Sequence, residues 1–427
     1  MLSTESMIEI KSIPGHWKLE NLGSICKTTS GGTPSRKVPD YYKGNIPWVK
    51  SGELDNGLIL DTEEKITESA VKNSSAKLFP KGTLLIALYG ATIGKISFLG
   101  VNAATNQAVC GIFESPKLNH KYLFYYLSFS KPTLVQQGIG GAQPNISQGI
   151  LKNLKVPVPP RAEQEQIVEK IEELFSELDA GKRLLETVKE QLKTYRQAVL
   201  KNAFDGRLTN DSIKDGEMPK DWNWIMLENV CSKIQDGSHF SPKIQYDGPG
   251  LDRFKYITAK NIRNNYLDLS NLTYVDRQFH SSIFPRCNPE YGDILMTKDG
   301  VNTGEVTANT LNEEFSLLSS VCLFKPNKEL LNSSYLKYFI QSPFGSKIID
   351  ESMTGTAIKR IILKKLRTAK IVLPPLDEQE RIVSEIDSRL SVCNKIEDTI
   401  CNCLQQSEVL KQGILQQAFK GNLVMPK

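Results

Sequence analysis

A chain of 427 residues is too long for one ordinary hydrophobic core and points to two to four domains. It has no run of eighteen apolar residues, and its first residues, with Glu5 and Glu9, lack the basic and apolar regions of a secretory signal. A soluble cytoplasmic protein with no membrane partner is expected. Net charge is only +5, yet Lys and Arg outnumber Asp and Glu by 18 to 11 in residues 1–162 and by 21 to 19 in 211–376, while acids lead by 10 to 8 in 163–210 and by 8 to 6 in 377–427. Paired basic segments suit a polyanion, although a pI near 8.6 falls short of the footprint of a general nucleic-acid binder.

In chain order, residues 46–49 read as a short strand, 83–88 as a buried strand bounded by glycine, and 118–127 as a helix. Between them lie loops rich in Gly, Ser, Thr, Asn and Lys at 30–36, 50–56, 89–95 and 138–145. These loops carry Thr33, Ser35, Lys50, Tyr89, Gln143 and Asn145, donors and acceptors of the kind that read base edges, since Lys and Arg suit guanine while Asn and Gln suit adenine, although any soluble protein has polar loops. The double proline Pro159-Pro160 then sets an extended lead-in to a long helix. Its apolar positions Ile167, Ile171, Leu174, Leu178, Leu185, Val188, Leu192, Tyr195 and Val199 alternate fours and threes, with Gly181 in the one missing place, which predicts a coiled-coil seam. About forty residues at about 1.5 Å each make a rod of about 60 Å. Phe204-Asp205-Gly206 predicts its left-handed stop.

The chain then says nearly the same again. Pro159, Pro160, Glu163, Gln164, Glu165, Ile167, Val168 and Ile171 return as Pro374, Pro375, Glu378, Gln379, Glu380, Ile382, Val383 and Ile386, all 215 residues on. Leu200, Ala203, Phe204, Gly206 and Leu208 return at the same offset as Leu415, Ala418, Phe419, Gly421 and Leu423. The segments before the helices are more worn copies, with offsets creeping from 205 (Trp17 to Trp222) through 210 (Gly90 to Gly300) to 213 (Tyr122 to Tyr335). This is a tandem repeat of variable and fixed parts, and variation of that kind gathers in loops on a rigid scaffold. In the second copy, 255–258 and 293–297 read as strands and 331–340 as a helix. Its loops and basic run carry Ser238, His239, Lys260, Lys298, Lys359, Arg360 and Lys364 as the matching polar candidates, and the acid-free run from Lys359 to Lys370 suits a phosphate path or, nearly as well, a solvated face or a patch facing a partner protein. The second rod's seam is expected at Ile382, Ile386, Cys393, Ile396, Ile400, Cys403, Leu410 and Ile414, with Arg389 and Ser407 interrupting it and Leu390 and Leu404 placed to widen it. Asp377 with Glu380 resembles a capping box. Trp17, Trp48, Trp222 and Tyr256 are expected in the core rather than as base-stacking platforms.

Catalytic patterns are incomplete. Gly90 to Lys95 resembles a phosphate loop, but it has three residues between its glycines where four are needed, Ile96 where magnesium needs a hydroxyl, and Glu305 in place of Lys95 in the repeat. Asn288-Pro289-Glu290-Tyr291 resembles an amino-methyltransferase loop with Glu290 in place of its second proline. The four histidines and eight cysteines show no ligand spacing, so a chain with no catalytic residue, no metal and no cofactor of its own, its thiols reduced, is expected.

A variable segment opening Pro14-Gly15-His16-Trp17-x-Leu19 and closing Val158-Pro159-Pro160-x-x-Glu163-Gln164-x-x-Ile167, the whole then repeated, resembles the specificity subunit of type I restriction-modification systems. Ser30-Gly31-Gly32-Thr33-Pro34-Ser35, Ile46-Pro47-Trp48-Val49, Gln143-Pro144-Asn145-Ile146-Ser147, Asp236-Gly237-Ser238-His239 and residues 256–262 extend the likeness over essentially the whole chain. Ala162 at the first cap, and Lys359-Arg360 where the first copy has Pro144-Asn145, depart from it. The resemblance implies an α/β (α+β) architecture with two target recognition domains, 1–158 and 211–373, and two long helices, 159–210 and 374–427, forming an antiparallel coiled coil. It implies that each domain reads one half of a bipartite site in double-stranded DNA. The helices would set the gap and dock two methyltransferase subunits. S-adenosylmethionine, ATP and magnesium would then belong to those and to restriction subunits. The competing reading is a coiled-coil scaffold that binds DNA without sequence preference.

Overall fold

The computed structural model describes residues 13–55, 57–138, 145–210, 212–214, 217–354 and 360–424. Two compact units emerge, unit 1 from residues 1–185 with 402–427 and unit 2 from residues 186–401. Each joins one variable segment to parts of both long helices.

Unit 1 contains β1 (Lys18–Asn21), α1 (Leu22–Ile25), β2 (Thr28–Ser30), β3 (Ile46–Val49), β4 (Leu58–Ile59), β5 (Lys65–Ile66), α2 (Glu68–Lys72), β6 (Leu78–Phe79), β7 (Leu84–Ala87), β8 (Ile96–Leu99), β9 (Ala103–Thr105), β10 (Val109–Ile112), α3 (His120–Gln136), α4 (Gln148–Asn153), β11 (Lys155–Val158) and the first part of α5 (Arg161–Phe204). One sheet has the order β2-β10-β7-β8-β4 and a second the order β5-β3-β9-β6, while β1 pairs antiparallel with β11. β3 lies parallel to β9, so the end of β3 and the β9–β10 turn come together.

Unit 2 repeats the plan with β12 (Asn223–Met226), α6 (Leu227–Val230), β13 (Cys231–Asp236), β14 (Arg253–Ile257), β15 (Ile262–Arg263), β16 (Tyr266–Leu267), β17 (Thr273–Asp276), α7 (Arg277–Cys287), β18 (Ile294–Thr297), β19 (Val306–Ala308), β20 (Phe315–Leu317), β21 (Val321–Pro326), α8 (Ser333–Gln341), α9 (Pro343–Ser352), β22 (Met353–Thr354), β23 (Arg360–Ile361), α10 (Leu363–Thr368), β24 (Lys370–Leu373) and most of α11 (Leu376–Phe419). Its sheets run β13-β21-β18-β19 and β17-β14-β20, with β14 parallel to β20 and β12 antiparallel to β24.

The repeated letters locate the joints. Gln164 is fully buried; its amide donates to the carbonyls of Pro159 and Lys117, and its oxygen accepts the Asn119 N–H at 2.7 Å. Gln379 does the same with Pro374, Leu330 and Asn332. Asn119 and Asn332 in turn cap α3 and α8 with their side chains, each cap contributing about 1 kcal/mol. The Phe-x-Gly ends are packing sites as well as stops. Phe419 meets Tyr122, Tyr126 and Phe129 of α3 at 5.3, 5.0 and 5.5 Å between ring centres, and Phe204 meets Tyr335 and Phe339 of α8 at 5.1 and 5.2 Å. Gly206 and Gly421 have φ of +81° and +77°, and a Cβ on either would lie within 2.5 Å of a proline ring, Pro219 or Pro14. Trp17, Trp48, Trp222 and Tyr256 are all buried, as expected.

Each long helix has 44 residues, about 66 Å of rod. Within unit 1, Lys411 donates to Asp179 at 2.7 Å and Lys182 approaches Glu408 at 3.8 Å, so numbers rise on one helix as they fall on the other. Within unit 2, Arg196 donates to Asn394 and Glu397, while Thr209, just beyond α5, meets Glu378 near the start of α11. Both portions of the pair are antiparallel.

Two helix expectations need correction. α11 begins at Leu376, so Asp377 lies in its first turn as an acid favoured by the helix dipole, not as the cap. The seam also takes different residues. Ile382, Ile386, Cys393 and Ile400 are buried, and Ile167, Ile171, Leu174, Leu178, Leu185 and Leu192 are buried or half-buried, but Ile396 and Leu410 are 39% and 54% exposed, and Val188 and Tyr195 are exposed too. Beyond Ile386 the inward stripe of α11 is Leu390, Cys393, Glu397, Ile400, Leu404, Ser407, Lys411 and Ile414, buried or half-buried. From each shared position the next contact is four residues on rather than three. Long polar side chains make this workable: Glu397 pairs with Arg196, and the Lys411 ammonium lies over the Phe175 ring, 5.4 Å from its centre, while donating to Asp179.

Candidate nucleic-acid interface

The nominated loops meet at one crossing of the backbone, built twice. In unit 1, Gly31 and Gly32 donate to Val109 and Thr105, Asn106 to Val49, Leu88 to Ala108, and Ile146 to Leu88, at 2.7 to 3.1 Å. In unit 2 the matching bonds are Gly237 to Val321, Ser238 to Leu317, Leu318 to Ile257, Lys298 to Ser320, and Ile361 to Lys298, at 2.7 to 3.2 Å. The loops leaving β2, β3 and β7 are therefore anchored on the β9–β10 turn, and those leaving β13, β14 and β18 on the β20–β21 turn. Buried N–H and C=O groups need partners, and here those partners are the neighbouring loop ends.

The loop after β7 is copied atom for atom in its hydrogen bonding. Gly94 donates to Ala87 at 2.8 Å and Ala87 to Lys95 at 2.8 Å; Gly304 donates to Thr297 at 2.9 Å and Thr297 to Glu305 at 2.8 Å. Gly90, Gly94, Gly300 and Gly304 all have positive φ. A single β-bridge ties each loop to the next segment, Tyr89 to Asn145 in unit 1 and Asp299 to Arg360 in unit 2. The incomplete phosphate-loop pattern is thus a hairpin connection between β7 and β8.

Placement sorts the candidate side chains. Thr33, Ser35 and Asn145 are exposed and Tyr89 is half-buried in unit 1; His239, Lys260, Arg360 and Lys364 are exposed in unit 2. Thr33 donates to Gln107 on the β9–β10 turn. Gln143 and Lys359 lie outside the described residues. Lys50 is held between Glu63 and Glu64 at 2.6 and 3.2 Å, which compensates its charge. Ser238 is buried, bonded to Phe240 N–H and C=O in a local turn. Lys298 is only 8% exposed, and its ammonium donates to Asp236 at 2.9 Å. It holds the loop from beneath. In the basic run, Arg367 turns inward to the Ile234 carbonyl and the Gln235 side chain, and Lys365 donates to the Glu351 carbonyl, leaving Lys364 and Lys370 facing solvent without such bonds.

Asp236, which the sequence reading passed over, is the electrostatic centre of unit 2. It is 4% exposed and takes Lys298, Arg286 at 2.7 Å and His239 at 3.1 Å. Burial pushes its carboxyl up, but the hydrogen bonds from Lys298 and Arg286 and the charge of Lys298 outweigh burial and hold it below the usual carboxylate range. Arg286 also donates to the carbonyls of Asp236 and Gly237, fixing the loop root. Unit 1 has Leu88 where unit 2 has Lys298, and Ser30 where it has Asp236. Val301 at the tip of the unit 2 hairpin was also missed; it is fully exposed, and its counterpart Ala91 is exposed. The available signal was its place between two glycines.

Among the described residues no group of three His, Cys, Asp or Glu side chains is placed to hold a metal ion, and no helix is long and apolar enough to cross a membrane. The arrangement offers two polar surfaces with rigid roots.

Comparison with known proteins agrees with this geometry. A family model described as the type I restriction modification DNA specificity domain matches residues 14–190 and again 219–406. The EcoBI type I restriction enzyme specificity subunit of Escherichia coli is 25% identical, over 96% of this chain and 87% of its own length. The EcoKI specificity subunit of Escherichia coli strain K12 is 23% identical, over 96% and 90%. Among solved structures, a chain from work on complex assembly and conformational transition of the type I R-M system superposes with a TM-score of 0.71 at 20% identity, covering 96% of this chain and 99% of that one. The HsdS subunit of Thermoanaerobacter tengcongensis gives 0.59 at 19%, covering 96% and 98%. Matched by the same domain model in both halves, the chain belongs to the type I restriction modification DNA specificity family.

Proposed function

We propose that this chain is the non-catalytic specificity subunit of a type I restriction-modification complex, with unit 1 reading one half of a bipartite DNA site and unit 2 the other. One observation carries the reading: the same hydrogen-bonded crossing is built twice, and the side chains on it differ. Like frames with unlike surfaces are what two unlike half-sites require. Exposed Lys and Arg, Lys364 and Lys370 among them, would supply salt-sensitive phosphate affinity, while Thr33, Ser35, Tyr89 and Asn145, with His239, Lys260 and Arg360, would face base edges. Lys298, Ser238 and Lys50 act in this scheme as supports.

The long helices serve as spacer and as a dock for methyltransferase subunits, two per chain, with restriction subunits completing the assembly. Apolar side chains on their outer faces suit docking: Leu184, Val409 and Leu410 in unit 1, and Val188, Tyr195, Val392 and Ile396 in unit 2 are all exposed. S-adenosylmethionine, ATP and magnesium belong on those partners, and the complex acts on cytoplasmic DNA. The test is base-modification sequencing of cells expressing this chain with its neighbouring methyltransferase, beside cells lacking only this chain. A methylated bipartite motif that disappears without the chain is the expected result. Identical methylation in both, with the methyltransferase bound to the chain, would favour a scaffold that binds DNA without sequence preference.

A further inference from the structure

The hairpin loops after β7 and β18 form a closely matched pair of surface features. Their backbone bonds agree one for one: besides the closing pair, Ile93 donates to Gly90 and Lys95 to Thr92, as Thr303 donates to Gly300 and Glu305 to Asn302. Each is tied by a bridge to a neighbouring segment, which sets loop and segment side by side. Within this shared frame the side chains change, Tyr89 to Asp299, Ala91 to Val301 and Asn145 to Arg360. Gly90 and Gly94 recur as Gly300 and Gly304, and Thr92 gives way to another small polar residue, Asn302.

Val301 has no packing role to explain it. It is an apolar β-branched residue, fully exposed, at the tip of a loop whose roots are locked by Lys298 and Asp236. Beside it Arg360 is exposed, fixed in position by the bridge to Asp299 and by the Ile361 N–H to the Lys298 carbonyl. Asp299 is half-buried and turned to the support: one carboxylate oxygen is enclosed and the other lies 3.9 Å from the Lys298 ammonium. A methyl-bearing tip and an exposed guanidinium on one hydrogen-bonded support match the edge of DNA in the major groove, where thymine shows a methyl and guanine two acceptors. In unit 1 the same two positions present a smaller methyl and an amide suited to adenine.

We propose that two matched positions determine base identity in the two half-sites: Val301 and Arg360 in unit 2, and Ala91 and Asn145 in unit 1. The assignment rests on the half-site reading given above and adds which residues make the halves differ. Arg360 reads guanine, and Val301 packs on a thymine methyl.

The experiment uses the full chain in complex with its methyltransferase, as wild type, Arg360→Gln and Val301→Ala. Genome methylation is sequenced for each, and the purified complexes are titrated with duplexes carrying every single-base change in the motif at two salt concentrations. Arg360→Gln is expected to lose about tenfold or more of the preference for guanine at one position of one half-site. Val301→Ala, which copies unit 1, is expected to lose a smaller preference, about threefold to tenfold, for thymine at a nearby position. The other half-site stays as in wild type. If wild type itself methylates no bipartite motif, the half-site reading fails. If wild type does and both variants keep its motif at full fidelity, only the present inference fails. Uniform weakening on all duplexes, with the salt slope reduced by about one, would make Arg360 a phosphate contact and overturn its assignment.

Discussion

Leu88 and Lys298 occupy the same point of the same backbone crossing, donating to Ala108 and Ser320 and accepting from Ile146 and Ile361. Leu88 is buried among aliphatic neighbours of unit 1, and nothing more is needed. Lys298 is buried nearly as deeply, and unit 2 surrounds it with an apparatus: Asp236 beneath it, then Arg286 and His239 on Asp236. The hydrogen-bonded frame therefore tolerates either an apolar plug or a buried ion pair, provided the pair is complete. A buried charge without its partner is far costlier than the apolar alternative.

That contrast can be broken most directly at Asp236. Asp236→Ala should destabilise unit 2 by about 3–5 kcal/mol, because Lys298 is left buried with only the longer 3.9 Å approach to Asp299. The double variant Asp236→Ser with Lys298→Leu, which copies unit 1, should recover all but about 1 kcal/mol. Urea unfolding of the three proteins decides it, and a double variant no better than the single would show that the filling is not exchangeable. A second contrast lies along α11, where Ile400 is buried and Ile396 faces outward. Ile400→Ala should cost about 2–4 kcal/mol, and Ile396→Ala less than about 0.5. Equal losses in thermal melts would return Ile396 to the seam.

The smallest effect concerns pH. Burial lowers the pKa of His280 in unit 2, against the raising effect of Glu314, and burial likewise lowers that of His120 in unit 1. A lowered folded pKa means that the unfolded chain binds more protons below about pH 6.5, so stability present above that pH is lost as pH falls. Asp236 adds a second loss, below about pH 4, where the unfolded carboxylate is protonated before the folded one. His280→Asn should flatten the first loss by up to about 1 kcal/mol per pH unit, measured by melts between pH 7 and 5. An unchanged slope would mean that His280 does not titrate on unfolding in that range.

The repeat could be read from letters alone because its residues occupy matched joints: Gln164 and Gln379 clamp the caps of α3 and α8, and Phe204 and Phe419 fill matched aromatic pockets. Loop locations were legible for the same reason, since Gly31, Gly90 and their copies are needed by the crossing. The seam was half legible. From Cys393 a heptad can step to Ile396 or to Glu397, and apolarity favours the first, but the ion pair with Arg196, 201 residues away in sequence, selects the second. Lys298 misled for a similar reason. Its partner Asp236 lies 62 residues back, and nothing local marks that lysine as buried.

Phe419 carries one more consequence. Its ring completes the aromatic cluster with Tyr122, Tyr126 and Phe129, so the core begun by β1 and β2 is closed by a residue made almost four hundred positions later. On the ribosome, unit 2 can assemble from a nearly continuous stretch of chain, 186–401, while unit 1 waits with an open apolar groove on α3 until the end of α11 has emerged. The order of maturation therefore inverts the order of synthesis, and the half that begins first is sealed last.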